Sequence, residues 1–292
     1  MSRWQGKSKG TSAGYKIFVF LINTAGLKGA YFLLRFVTLY YFFFSPSTSH
    51  YILDLYRNIL KFSITKSWAG LYRNYYNLGQ TLIDKVAIMS GAKTNFTFHF
   101  DGEEHLRAMI AGKKGGLLLS GHLGNWEAAG HLLKRLNTRI HIVMFDGEDA
   151  QIKQYMEEVT GPKTFNIIFV KNDLSHIFKI NEALALNEVV CMHADRFLPG
   201  NKTITTNFFG KPAQFPEGPF LLALKLNAPV AFVYAFKEGS QHYHLYSTPI
   251  MTYNSREGDT VQRVVTEYSN SMEEMTRAYP EQWFNYYNFW QA

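Results

Sequence analysis

Leu117-Leu118-Leu119-Ser120-Gly121-His122-Leu123-Gly124-Asn125-Trp126-Glu127 is the stretch from which the fold can be worked out. An apolar run stops at a histidine, two glycines flank that histidine, and a glutamate follows five residues on. A short apolar run closed by glycine marks a buried strand leaving a sheet. Asn125 is placed to cap a helix that opens with Trp126-Glu127-Ala128-Ala129. His122 is therefore expected at the carboxyl end of a strand, the edge where open α/β sheets bind ligands. Glu127 then sits in the first turn of the next helix. On one continuous helix, residues five apart diverge by roughly 140°, whereas a glycine-containing turn can bring the two side chains together. A core histidine beside a surface glutamate satisfies the same spacing, so the pair alone leaves both readings open.

Working outward, strands and helices alternate from Asn95 onward. Apolar, β-rich runs occupy 95–100, 116–120, 139–145, 166–170, 189–193, 203–209, 230–236 and 242–249. Helical patterns lie at 105–111, 125–135, 150–159, 175–186, 219–226 and 260–278. This alternation predicts an α/β fold with a mixed, largely parallel central sheet flanked by helices. Residues 50–92 read as helical, with Ile52, Leu55, Tyr56, Ile59 and Leu60, then Leu71, Tyr75 and Leu78, at helical spacing. That aromatic stripe is assigned to packing. No long linker or internal repeat interrupts the chain after residue 49, so 49–292 is expected to form one domain.

The amino terminus is different in kind. Residues 1–16 carry Arg3, Lys7, Lys9 and Lys16 and no acidic residue, and Ile17 to Phe44 is apolar apart from Lys28, Arg35 and a few small polar residues. No small-residue cleavage pattern suggests a removable signal. Ala30 to Phe44 falls short of the ~20 residues that span a bilayer. Extending it to Ile17 places Lys28 mid-membrane, which is costly. A crossing helix with snorkelling Lys and Arg and a helix lying in the interface both remain open. Residues 1–48 are thus expected to be a basic leader followed by membrane-attaching apolar helices, with the amino terminus on the cytoplasmic side.

Composition narrows the partners. The chain of 292 residues has a net charge of +7 and 16% aromatic residues, with 24 Phe and 18 Tyr. A basic chain suits an anionic partner: a membrane surface, an acidic carrier or a phosphorylated lipid. Nucleic acid is not expected, because zinc spacing, a basic region with heptads and aromatic ribonucleoprotein motifs are all missing. The single Cys191 cannot form an internal disulfide and reads as a small core residue. No metal site is expected, since His141, His193, His242 and His244 show no paired ligand spacing.

The segment around His122 resembles the His-x4-Asp/Glu motif of the glycerolipid and lipid A acyltransferase superfamily. Its His-x-Gly-Asn-Trp-Glu form looks most like the late lipid A acyltransferases, the lauroyl/myristoyl-transferase type. Three later segments resemble the same family: Asp195 after the run Glu188–Ala194, Asn207-Phe208-Phe209-Gly210-Lys211-Pro212, and Pro280-Glu281-Gln282-Trp283-Phe284-Asn285-Tyr286. The resemblance covers roughly residues 15 to 290 in order.

The resemblance implies that 49–292 is an acyltransferase catalytic domain. His122 acts as general base on an acceptor hydroxyl, and Glu127 holds the imidazole in the right tautomer. A backbone N–H within 121–125 is expected to stabilise the oxyanion. Asn125, Asp195, Arg196, Glu217 and Gly218 form the expected substrate-binding set. Arg196 is suited to bidentate phosphate contacts. Phe215-Pro216-Glu217-Gly218 also resembles a phosphate-site motif of lysophosphatidate acyltransferases, but Pro219 stands where that motif continues with Thr-Arg. Glu217-Gly218-Pro219 equally suits a plain helix start. Between 146 and 175 the chain has Lys153, Lys163 and Lys171 where the family usually carries Arg, so acceptor recognition is expected to differ from standard lipid A.

The expected reaction moves a fatty acyl group from a thioester to a hydroxyl of a lipid A precursor or related envelope lipid. The donor is acyl carrier protein or coenzyme A, acyl carrier protein being favoured, and no other cofactor is expected. The expected partners are that carrier, the lipid acceptor and the cytoplasmic face of a bacterial inner membrane. No Gly-x-Ser-x-Gly elbow is present, so a serine hydrolase is not expected. The alternatives are an acyltransferase for a glycerolipid, amino-acid lipid or polyene pigment, and a lipid-binding protein that retains the fold.

Overall fold

A computed structural model of the chain describes residues 12–89, 92–125, 136–145, 165–171 and 173–290. Its strands are β1 (Thr97–Asp101), β2 (Gly116–Ser120), β3 (Ile140–Met144), β4 (Asn166–Phe169), β5 (Val189–His193), β6 (Thr203–Phe208), β7 (Lys211–Pro216), β8 (Pro229–Lys237), β9 (His242–Ser247) and β10 (Met251–Thr252). The α-helices are α1 (Ser12–Phe44), α2 (Pro46–Asp54), α3 (Ile64–Met89), α4 (Glu103–Ala111), α5 (Ser175–Ala185), α6 (Glu217–Leu226) and α7 (Val261–Ala278).

The main sheet runs β1-β9-β8-β2-β5-β3-β4, with β10 beside β8. Its pairs are parallel except β8–β9 and β8–β10. β2 is apolar along its whole length because both its faces are covered. Leu117 and Leu119 join a core with Ile180 of α5, Phe220 of α6 and Tyr268 of α7. Leu118 points the other way, into a core with Leu106 and Met109 of α4. This is the mixed, largely parallel sheet that the alternation predicts.

One expected element differs. The run 203–209 does not enter the main sheet. It pairs with β7 in a separate antiparallel hairpin, a strand hidden by Pro212 and Pro216, which remove ladder donors and break any alternation. The helical patterns at 125–135, beyond Asn125 itself, and at 150–159 fall outside the described residues.

The amino-terminal helix lies along the domain. Gly26, at φ 67°, breaks α1 into two pieces. Ile22, Leu27, Ala30, Tyr31 and Leu34 pack on Ile83, Val86 and Ala87 of α3. The two helices approach closely at Gly79, where an added Cβ would stand 2.3 Å from Leu34 Cδ1. A buried polar cluster fastens this contact. Asp84 of α3 accepts from Tyr31 of α1 and from Lys237 Nζ and Tyr243 OH, the latter two at 2.5 Å each. Tyr243 OH in turn accepts from Asn125 Nδ2 at 2.9 Å. Burial pushes the Asp84 carboxyl up and the Lys237 amine down, and their ion pair opposes both shifts.

Candidate active site

The site is built by register. β2 and β5 are adjacent and parallel, with Ser120 opposite His193. Two residues past each of these positions, His122 and Asp195 face each other at the carboxyl edge of the sheet. Asp195 Oδ1 lies 2.8 Å from His122 Nδ1, and Asp195 Oδ2 accepts the His122 backbone N–H at 2.8 Å. The carboxylate thus grips both the ring and the main chain of the histidine. Asp195 is 1% exposed, whereas the His122 side chain is 27% exposed and open to a substrate.

Burial alone would push the Asp195 carboxyl up. The His122 charge and hydrogen bond, with the Arg196 guanidinium, outweigh it and hold the carboxyl well below the usual carboxylate range. An ionised acceptor on Nδ1 keeps the proton there, so Nε2 carries the lone pair that can accept a proton. His193 stacks on His122, with ring centroids 4.3 Å apart and planes 24° from parallel. Burial, then the charge of His122, lowers its pKa to about 3 and keeps this second ring neutral. Cys191, also on β5, has its thiol pushed up to about 12 by burial, which fits a packing residue rather than a nucleophile.

The loop carrying His122 is braced from several sides. Tyr268 OH of α7 donates to Ser120 O at 2.7 Å. Gly124 sits at φ +75°, and a Cβ there would stand 2.1 Å from Ala235 O, so only glycine fits. The carboxy-terminal segment adds a short antiparallel pairing: Gly124 N–H donates to Gln282 O at 2.8 Å and Phe284 N–H to His122 O at 2.9 Å. Gln282 anchors that segment, its amide accepting from Lys237 N–H and donating to Lys237 O, both at 2.9 Å. Trp283 is buried against Phe208, whose carbonyl accepts from Trp290 Nε1 at 2.9 Å. Phe209 (φ 55°) and Gly210 (φ 75°) form the tight hairpin turn between β6 and β7. The three later segments of the resemblance therefore converge: Asp195 grips His122, and the other two build its support.

The remaining expected site residues are placed as follows. Glu127 lies outside the described residues; among those described, Asp195 makes the imidazole bond that the motif assigns to Glu127. Asn125 is 1% exposed, its side chain on Tyr243 and its N–H on Ala235 O at 2.7 Å. One Arg196 nitrogen donates to Phe284 O at 2.5 Å, and the guanidinium lies 5.8 Å from the Tyr287 ring centroid, which ties the carboxy-terminal segment to β5. Glu217 and Gly218 open α6 after Pro216, the plain helix start. Lys171 is exposed, while Lys153 and Lys163 lie outside the described residues. The expected oxyanion donor narrows, because the N–H groups of His122, Gly124 and Asn125 are each bonded within the protein. His193, which the sequence offered only as a scattered histidine without metal-ligand spacing, was signalled as a neighbour of His122 only by ending β5 two residues before Asp195.

A family-wide sequence profile described as bacterial lipid A biosynthesis acyltransferase matches residues 71–292. The chain belongs to that family. Two curated relatives, phosphatidylinositol mannoside acyltransferases from two strains of Mycobacterium tuberculosis, are each 28% identical over 139 residues. These alignments take in 47% of this chain and 44% of each relative, so the match spans under half the relatives' length. The crystal structure of the 1-acyl-sn-glycerophosphate acyltransferase PlsC from Thermotoga maritima aligns over 87% of this chain and 98% of its own, with 14% identity and a TM-score of 0.40.

Proposed function

We propose that this protein is a membrane-associated O-acyltransferase. It moves a fatty acyl group from an acyl thioester, carried by acyl carrier protein, to a hydroxyl of a lipid A precursor or related envelope glycolipid. The observation that carries this reading is His122 gripped through Nδ1 by the buried carboxylate of Asp195 at the carboxyl edge of the sheet. His122 Nε2 takes the proton of the acceptor hydroxyl as its oxygen attacks the thioester carbonyl. The tetrahedral intermediate collapses, the C–S bond breaks, and the imidazolium returns the proton to the departing sulfur. Asp195 fixes the tautomer and stabilises the imidazolium. Glu127, five residues from His122, supplies a second carboxylate in the motif's own reading. The mycobacterial relatives are named for acylating a glycolipid, which favours a sugar-bearing lipid as acceptor.

Attachment rests on α1. One face packs on α3, and the other exposes Phe20, Phe32, Phe36, Leu39, Tyr40, Phe43 and Phe44, with the exposed Lys28 and Arg35 along it. Lys16–Phe44 is long and apolar enough to cross a membrane. A helix held lengthwise by the domain is better suited to lie in the cytoplasmic leaflet of the inner membrane, aromatic side down.

The test incubates purified protein and its His122→Ala form with acyl-carrier-protein thioesters and native lipid extract, and mass spectrometry follows the lipids. The expected result is one added acyl mass on a glycolipid with wild type only. A gain that persists in His122→Ala, or none with wild type across acyl-carrier-protein and coenzyme A donors, overturns the reading.

A further inference from the structure

We propose that His99, Asp101 and His244 form a binding site for a divalent transition-metal ion of the zinc class, pinning the edge strand β1 to β9. β1 and β9 are parallel, and His99 stands directly opposite His244 in their register. Asp101, two residues beyond His99, projects from the same face of β1. The rings of the two histidines lie 4.7 Å apart. His99 Nε2 is 3.3 Å from Asp101 Oδ1, and His244 Nε2 is 3.0 Å from Asp101 Oδ2. The three ligand atoms all lie within 4.8 Å of one another. Zinc–ligand bonds of ~2.0–2.2 Å in tetrahedral geometry put ligand atoms about 3.4 Å apart, so small side-chain shifts close the site.

The tautomer of His244 favours metal. Its Nδ1 lies 3.1 Å from Glu238 Oε1 and 2.9 Å from Tyr246 OH. Tyr279 OH donates to the same Glu238 oxygen at 2.5 Å and lies 2.6 Å from Tyr246 OH. A carboxylate only accepts, so Glu238 favours the tautomer with the proton on Nδ1, which leaves the Nε2 lone pair for a metal. That Nε2 atom is buried and has no hydrogen-bond partner among the described residues. In that tautomer a cation placed between Nε2 and the Asp101 carboxylate, 3.0 Å apart, satisfies both groups. A carboxylate behind the distal nitrogen is the arrangement that orients and strengthens a metal-binding histidine. His99 and Asp101 are exposed on an edge strand, which leaves an entry path and an open coordination position for water. No sequence spacing announces the site, because its ligands come from strands far apart in the chain.

The experiment titrates Co2+ into tag-free, metal-stripped full-length protein and follows the visible absorption of four-coordinate cobalt, then repeats it with Zn2+ as competitor and reads the thermal midpoint. Wild type is expected to bind one equivalent, to exchange it for Zn2+, and to melt at a higher temperature with Zn2+ present. His99→Ala and Asp101→Asn, both at exposed positions, lose the spectrum and the shift. His122→Gln keeps both, which separates this site from the His122, His193 and Asp195 group. Absence of the spectrum in wild type, its persistence in His99→Ala and Asp101→Asn, or its loss in His122→Gln overturns the proposal.

Discussion

A histidine stacked 4.3 Å from His122, with both ring nitrogens sealed from water, keeps its neutral form far below the pH at which a free imidazole protonates. The consequence for stability has a definite sign. Between about pH 6.5, where the unfolded chain takes up this proton, and about 3, where folded His193 does, only the unfolded state is protonated. Native stability therefore falls as pH drops through this window, by about 1.4 kcal/mol per pH unit from this group. Asp195, held low, contributes stability above its unfolded value near 4 that is lost only at lower pH. Urea unfolding of wild type and His193→Phe between pH 7 and 5 isolates the histidine. The variant, which keeps a ring on His122, is expected to show the shallower pH dependence; identical slopes would refute a neutral buried His193.

At the scale of elements, the loop after β2 holds its shape because Gly124 takes a backbone and a contact distance closed to other residues. Gly124→Ala is expected to lose roughly 1–3 kcal/mol from the left-handed backbone alone, and more from the clash with Ala235 O. Urea midpoints read this directly, and acyl transfer should fall with them; unchanged midpoints would mean that the loop adopts another path. Much at this scale was legible in the sequence. β2 and β5 match the expected runs residue for residue, because each is a continuous apolar stretch with a clear stop. β7 was not legible, since its two prolines mimic a loop. The His122–Asp195 pair was half legible: both residues read as strand-end polar groups, but their contact depends on the β2–β5 register, which the local pattern does not encode. Arg196 looked like a phosphate ligand because its type fits one, and only tertiary structure shows one of its nitrogens donating to Phe284 O.

Across the whole molecule, one polar cluster joins the apolar helix to the loop that carries His122: Tyr31, Asp84, Lys237, Tyr243 and Asn125 run from α1 through α3, β8 and β9 to the residue three places after His122. The proposed membrane face and the proposed active site are thus joined by continuous packing and hydrogen bonds. Their joint function predicts that the exposed face of α1 carries attachment. Burying one phenylalanine in lipid contributes about 1.5–3 kcal/mol, roughly ten- to hundredfold in partitioning. Phe36→Asp with Phe43→Asp is expected to abolish flotation with vesicles of phosphatidylethanolamine and phosphatidylglycerol while leaving the thermal midpoint near that of wild type, since both side chains are exposed. Equal flotation of the double variant would move the attachment surface elsewhere.

The central claim is that the Asp195 carboxylate sets His122 up as the base. The direct measurement is the acyl-transfer rate of Asp195→Asn against wild type, with Glu127→Gln alongside and circular dichroism confirming the fold. Asparagine preserves the shape but not the charge or the tautomer, so the rate is expected to fall by about 10²- to 10⁴-fold. A folded Asp195→Asn protein working within about threefold of wild type, against the loss that an orienting carboxylate implies, would contradict the account and return the orienting role to Glu127.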